Sequence, residues 1–344
     1  MVNKTLVIEG AVTDNDLSSE WVTGLKELND FEKKISFDKF LDHIENMNVE
    51  QEFRILKRIT HTNKHLDKMY TYKDSMYKKN RYEHLIAFKH SMPKAKDDTE
   101  DDFYINANYI AHPLFKHAQK QFIVGQGPTA SSSSDFWKVM YQHDVCVIIM
   151  LCDFKKEQFV LEEKYFPKEH KKLAFDELEV RNLGCAKDSF NVFRKLSIKD
   201  SKEGKVKELK HYNIRVWDDM EVLSEDHYKN LLDFIKLISA IAGGSDQNEK
   251  QARQPIFIHC KAGIGRSGVF MAIIAIYDYL LTLYLKYGDF FNNPNTEDTE
   301  AFGISIFAIV RRMREDRWGL IQKPKQYYFV YEFTKYMLEN LELL

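Results

Sequence analysis

The sequence predicts an α/β fold in which a central, highly twisted mixed sheet is flanked by helices. Three observations point there. Short β-rich apolar runs lie between residues 104 and 151, with a helical segment among them. Charged, alternating strands fill residues 186–216, and the apolar strand Ile256-Phe257-Ile258 leads straight into a long apolar helix. At 344 residues, with 44% hydrophobic and 30% charged side chains, the chain has the material for one large core of this kind.

Taken in order, residues 1–35 carry short patches without a period and are expected to form an N-terminal extension, helical or disordered, ahead of one domain over residues 36–344. Phe37, Phe40, Leu41, Ile44, Met47, Phe53, Ile55, Leu56 and Ile59 recur at helical spacing and predict amphipathic helices. Tyr109-Ile110 and Phe122-Ile123-Val124 read as short strands, and a helix is expected around Phe136-Trp137. The apolar run at 145–151 has the character of a buried central strand. Three strands, at 190–193, 205–209 and 212–216, are expected as antiparallel hairpins with one wet face. A helix over 227–241 precedes the polar loop 243–254. Helical patterns at 269–285, 305–313 and 327–341 follow, with an acidic loop at 292–300 between the first two.

Charge and cysteine usage restrict what such a domain does. The 50 basic and 52 acidic residues nearly cancel to a net charge of -2, so no global field gathers nucleic acid or an anionic membrane, and any anion site must be local. Cys146, Cys152, Cys185 and Cys260 form no C-x-x-C pair, which disfavours a disulfide framework or structural zinc and favours reduced thiols in the cytoplasm. No charged segment followed by an apolar run opens the chain, and Tyr277, Asp278 and Tyr279 interrupt the longest apolar stretch. Neither a signal peptide nor a membrane span is expected. A monomer is expected.

The segment His259-Cys260-Lys261-Ala262-Gly263-Ile264-Gly265-Arg266-Ser267-Gly268 lies between the strand and the apolar helix. Small residues at Ala262, Gly263 and Gly265 allow successive backbone N–H groups to turn inward around an anion, and the helix adds its positive N-terminus. The same donors stabilise a thiolate at Cys260, making it a nucleophile at neutral pH. Arg266 offers a planar fork for two phosphoryl oxygens, and Ser267 a hydroxyl able to reach the sulfur when it leaves. A bare Cys-x5-Arg is a weak signal. The glycines, the serine and the strand-to-helix setting make it a strong one.

With this loop, the chain resembles the phosphotyrosine-specific protein tyrosine phosphatases, whose signature is H-C-x-x-G-x-x-R-[ST]-G. Further segments resemble that family's motifs in the same order: Lys79-Asn80-Arg81-Tyr82, residues 104–110, Gln126-Gly127-Pro128 through Asp135-Phe136-Trp137, Trp217-Asp218-Asp219, and residues 322–326. The resemblance covers about residues 37–340. It implies the family's mixed-sheet fold, phosphotyrosine in proteins as substrate, a phosphocysteine intermediate, and no metal or other cofactor. It assigns catalysis to Cys260, Arg266, Asp219, Ser267 and Gln322, with Asp219 as general acid and base. Substrate would be held by Tyr82, Lys261, Ala262, Gly263, Ile264, Gly265, Arg266, Gln326 and Asp219. Asp218 stands where the family has proline, His84 where it has an aspartate, and Met220-Glu221 where it has an aromatic residue and glycine. The segment 159–167 lacks its Lys-Cys pair, and Lys261 replaces a small residue. Lys261 keeps a phosphoinositide phosphatase as one alternative. The changed acid loop keeps a phosphotyrosine-binding pseudophosphatase as another.

Overall fold

A computed structural model describes residues 31–60, 74–96, 103–115, 122–157, 163–241, 254–288 and 302–340. Its elements begin with β1 (Ile35–Ser36), α1 (Phe37–Asn46), α2 (Val49–Thr60), β2 (Ala107–Ile110), β3 (Phe122–Gln126), α3 (Ser133–Gln142) and β4 (Val147–Met150). Next come β5 (Lys172–Phe175), β6 (Leu178–Lys187), β7 (Asn191–Asp200), β8 (Val206–Ile214) and α4 (Tyr228–Ile241). The chain continues through β9 (Ile256–Cys260), α5 (Gly265–Tyr287), β10 (Gly303–Ile304), α6 (Ile306–Asp316) and α7 (Pro324–Glu339). Residues 1–30 and the predicted loops at 243–253 and 292–300 lie outside the described residues.

The main sheet has eight strands in the order β2-β3-β9-β4-β8-β7-β6-β5, which makes the fold the mixed α/β type expected. β3, β9, β4 and β8 run parallel to one another, and the remaining pairs are antiparallel. The period of two along the central strands splits their side chains between two cores. Ile256, Ile258 and Cys260 of β9, with Val147 and Ile149 of β4, face the core shared with α5 and α7. Phe257, Ile148 and Met150 face the opposite core, which α3 covers with Phe136 and Trp137. Both faces are dry, so these strands read as continuous apolar runs.

α5 is long and apolar enough to match a membrane span by composition, but 72% of its apolar window is buried inside the fold, where it packs on β9 and α7. Each fully buried Ile, Val or Phe there contributes about 1.5–3 kcal/mol. Residues ahead of α1 are tied down by the β1–β10 pair and by Phe31 stacked on Phe307 of α6 at 5.3 Å.

Two expectations need correction. The sequence suggests a break near Lys210-His211, yet β8 runs through both residues. Lys210 is exposed and donates its N–H to Cys146 O, while His211 is fully buried, so the pair follows the in-and-out alternation of one strand. The sheet also extends to β5 and β6, two strands that the sequence reading leaves out. Their exposed and charged positions, with Gly184 at a register shift, hide the pattern.

Candidate active site

Because β3, β9, β4 and β8 are parallel, their carboxyl ends share one edge of the sheet, the place where open α/β sheets gather ligands. β9 ends there at Cys260, β3 at Gln126, β4 in the turn that carries Glu157, and β8 in the loop that carries Trp217 and Asp219.

The turn from β9 into α5 spans Lys261 to Ile264, and the helix begins with no side-chain cap, leaving its first N–H groups free of a side-chain acceptor. Gly263 has φ +73°, and a Cβ there would fall 2.0 Å from Gly125 O, so only glycine fits. Its N–H donates to Cys260 Sγ at 3.2 Å. The outward carbonyls are held from behind. Arg317, itself buried, donates to Gly263 O at 2.8 Å and Ala262 O at 3.3 Å, and is braced by the side chains of Asn108 and Asn106. Turning those carbonyls out turns N–H groups in.

Arg266 is 1% exposed and holds oxygens of three residues from two loops. Glu157 takes it bidentately, at 2.6 Å from Nη1 and 2.8 Å from Nη2. Nη1 also donates to Trp217 O at 2.9 Å, and Nη2 to Asp219 Oδ1 at 2.8 Å. Burial works against the charge, but its hydrogen bonds to Glu157 and the nearby charges of Cys260 and Glu157 outweigh it and hold Arg266 above its ordinary value. Among the described residues, the buried atoms Arg266 Nε and Ser267 Oγ have no hydrogen-bond partner. Ser267 Oγ makes no bond to the sulfur in this arrangement.

The two adjacent carboxylates of the loop at 217–221 diverge. Asp219 turns down to Arg266, while Asp218 turns out and pairs with Lys156 at 3.0 Å, both of them exposed. Trp217 is buried against Phe329 and donates its indole N–H to Glu221 O at 3.0 Å. Met220 takes φ +60°.

Tyr82 lies in the field of the same groups: burial first, then Asp219, with Cys260 and Glu157 adding, pushes its phenol up. Its rim is built by neighbours rather than by itself. Arg81 donates to Gly127 O and Pro128 O, both at 2.6 Å, and pairs with Glu163, while Lys79 pairs with Asp135. Gln126 bridges Lys79 O and the Arg81 N–H. His84 lies beside Tyr82, the ring centroids 6.2 Å apart. Gln326 accepts from the Gln322 N–H at 3.1 Å. A Cβ on Gly265 would sit 3.0 Å from Gln326 Nε2 and 3.5 Å from Gln322 Oε1, so both amides lie against the start of α5. Lys261 reaches sideways, its Nζ donating to Glu157 O at 2.8 Å.

The sequence-predicted residues Cys260, Arg266, Asp219, Tyr82, Gln322 and Gln326 therefore meet at one edge. Glu157 and Arg317 were missed. Neither stands in a motif singled out above. The one usable signal was the need of a buried guanidinium for a buried carboxylate.

The sequence profile of the family "Protein-tyrosine phosphatase" matches residues 76–336. Human "Tyrosine-protein phosphatase non-receptor type 5" is 29% identical over 259 residues, which is 74% of this chain and 40% of that protein. "Tyrosine phosphatase H3" of Microplitis demolitor bracovirus (isolate Webb) is 30% identical over 277 residues, 80% of this chain and 74% of the relative. Rat "Receptor-type tyrosine-protein phosphatase V" is 30% identical over 232 residues, covering 66% of this chain and 13% of that protein. The chain thus spans well under half of the human and rat proteins.

Proposed function

The chain belongs to the protein-tyrosine phosphatase family, and from that premise we propose that it hydrolyses phosphotyrosine in proteins through a phosphocysteine on Cys260. One observation carries the reading: the buried Arg266 is oriented by Glu157 from one side and met by Asp219 from the other, beside a cysteine whose sulfur accepts the Gly263 N–H.

In the first step the Cys260 thiolate attacks phosphorus and the bond to the tyrosyl oxygen breaks, with protonated Asp219 giving its proton to that oxygen. Asp219 occupies an Arg266 donor in the structure. An arriving phosphoryl group takes that donor, and the carboxyl is released toward the leaving oxygen above it. Backbone N–H groups of residues 261–266 and the guanidinium then carry the equatorial charge. In the second step water, positioned by Gln322 and Gln326, attacks phosphorus. Asp219 takes its proton, the sulfur–phosphorus bond breaks, and Ser267 donates a hydrogen bond to the departing thiolate. Inorganic phosphate leaves. Trp217 anchors the loop that closes over these steps.

Tyr82 sets the depth of the cleft, so an aryl phosphate reaches the sulfur and a seryl phosphate falls short. Lys261, whose ammonium donates to Glu157 O, keeps an inositol-lipid substrate as the alternative that the test below separates. We further assign residues 36–344 to the catalytic domain and place its action on cytoplasmic phosphoproteins.

The test is a stopped-flow burst of phenol from a chromogenic aryl phosphate, run beside phosphotyrosyl, phosphoseryl and inositol phosphate substrates. A burst with the aryl and phosphotyrosyl compounds, abolished in Cys260→Ser, is expected. Turnover retained in that variant, or a preference for inositol phosphates, overturns the proposal.

A further inference from the structure

A band of basic side chains outside the mechanism above begins at the margin of the cleft and runs outward across the sheet. Lys155, exposed, precedes Lys156 and Glu157, whose side chains reach Asp218 and Arg266. Arg215 follows the last residue of β8 and stands two residues before Trp217. Arg194 of β7 pairs across the ladder with His211 of β8, and its guanidinium carbon lies 4.3 Å from the Phe166 ring centroid. Lys164 Nζ lies over the same ring at 5.4 Å, and Lys168 is exposed directly after Pro167. Alternation along β7 sends Leu196 and Ile198 into the core under α3 and leaves Arg194 half-buried at the margin of that same face.

Among the described residues, no carboxylate forms an ion pair with Lys155, Lys164, Lys168, Arg194 or Arg215. The acids nearest to them in sequence are turned elsewhere. Asp153 accepts the backbone N–H groups of Lys155 at 2.8 Å and Lys156 at 3.0 Å, Glu163 pairs with Arg81, and Glu169 accepts the Cys185 N–H at 2.9 Å. Arg194 donates one N–H to His211 Nδ1 at 3.2 Å and has four others in its fork. Burial first, then Arg194, Lys168 and Lys155, holds the Lys164 ammonium below its ordinary value. Burial lowers Arg194 as well, with Arg215 adding to it and Tyr165 and Cys185 opposing only in part. Five cations thus share one surface, two of them half out of water, and an anion arriving from outside is drawn by all of them together.

We infer that this band docks an acidic segment of the phosphotyrosyl protein, its Asp and Glu side chains lying outside the residues that enter the cleft. The forked guanidinium of Arg194 and the ammonium of Lys164 are recessed over one ring, where a carboxylate on a flexible side chain reaches them and a flat anionic bilayer does not. A bilayer also meets Glu169, which is exposed beside Lys168. The whole chain has a net charge of -2, so the attraction is local to the band and selects substrates by where their acids fall relative to the phosphotyrosine. The identity of the segment rests on the phosphatase reading, since the substrate is what brings it; the charge of the band does not.

The test uses full-length protein and phosphotyrosyl peptides in which a run of aspartate and glutamate is stepped along either side of the phosphotyrosine, each beside its asparagine and glutamine counterpart. Over one range of placements the acidic peptide is expected to exceed its counterpart about 10-fold in kcat/KM, the contribution of two or three partly exposed ion pairs. The gain is expected in KM and is expected to vanish at about 0.5 M salt. It is also expected to be lost when Lys155→Gln, Lys164→Gln, Lys168→Gln and Arg215→Gln are combined, with turnover of a small aryl phosphate unchanged. Equal kcat/KM across the panel, or a gain that the combined variant keeps, overturns the inference, as does binding of the band to phosphatidylserine vesicles without discrimination among peptides. If the combined variant fails to fold, Lys155→Gln with Lys168→Gln, both exposed, is expected to reduce the gain about threefold, and no reduction overturns the inference. A protein without turnover on any peptide defeats the phosphatase reading instead. Salt-sensitive binding of the unphosphorylated acidic peptide, weakened in the variant, then upholds the docking surface, and its absence overturns it.

Discussion

The Arg266 guanidinium holds oxygens from Glu157, Trp217 and Asp219, contributed by two loops that the sequence separates widely. Glu157 is the partner whose loss leaves the charge most exposed to its surroundings. Glu157→Gln is expected to lower stability by up to about 3 kcal/mol, since a buried pair is being broken, and to lower kcat by at least tenfold. A denaturant midpoint and turnover equal to wild type would refute it. Asp219→Asn is expected to cost about 10²- to 10⁴-fold in kcat, whereas Asp218→Asn, whose carboxylate meets Lys156 at the surface, should change it by less than about threefold. Equal losses in the two variants would mean that the wrong carboxylate was chosen. Cys260 and Arg266 were legible because their neighbours in sequence build the loop between them, and Asp219 only through the resemblance of Trp217-Asp218-Asp219 to a family motif. Glu157 and Arg317 were not. Each acts on a side chain or carbonyl far along the chain, and a Lys-Lys-Glu run reads as solvated surface until the fold buries it.

The loop at 217–221 is an element held in place by side chains where the resembled family uses proline. Lys156 grips Asp218, Lys325 grips Glu221, and the Trp217 indole bonds back to Glu221 O. Both ion pairs are exposed, so each contributes little and less at high salt. Met220, at φ +60°, works against this conformation, since a side chain in the left-handed region costs about 1–2 kcal/mol. Met220→Gly is expected to raise the thermal midpoint by stabilising the loop as it stands. A lower midpoint would show that the side chain contributes more by packing than it costs in strain. Elements with one clear period were readable: α1, α2, α4 and the run from β9 into α5. β5 and β6 were not, because an edge hairpin wet on one face and charged along its length keeps few apolar positions to mark a period.

At the scale of the whole molecule, burying neutral histidines ties stability to pH. Unfolded, His259 binds a proton near 6.5; folded, it resists until about 4, with His211 lowered as well. The unfolded chain therefore binds more protons throughout that window, and stability must fall as pH drops from about 6.5 toward 4, then level off for His259 below it. Above the window both states hold neutral rings and the effect vanishes. His259 alone contributes roughly 3 kcal/mol to this slope. Denaturation followed from pH 7 to pH 4 checks it: replacing His211 by Asn should flatten the curve, and an unchanged curve would argue against a buried neutral ring. The strand order carries a further consequence for synthesis. β9 lies between β3 and β4, which leave the ribosome more than a hundred residues earlier. Until it emerges, a nascent chain has two half-sheets facing each other across a gap, each with an open edge prone to pairing with strangers. The strand that closes the gap is the one bearing Cys260, so on the proposed reading a partly made chain lacks both a closed sheet and its nucleophile.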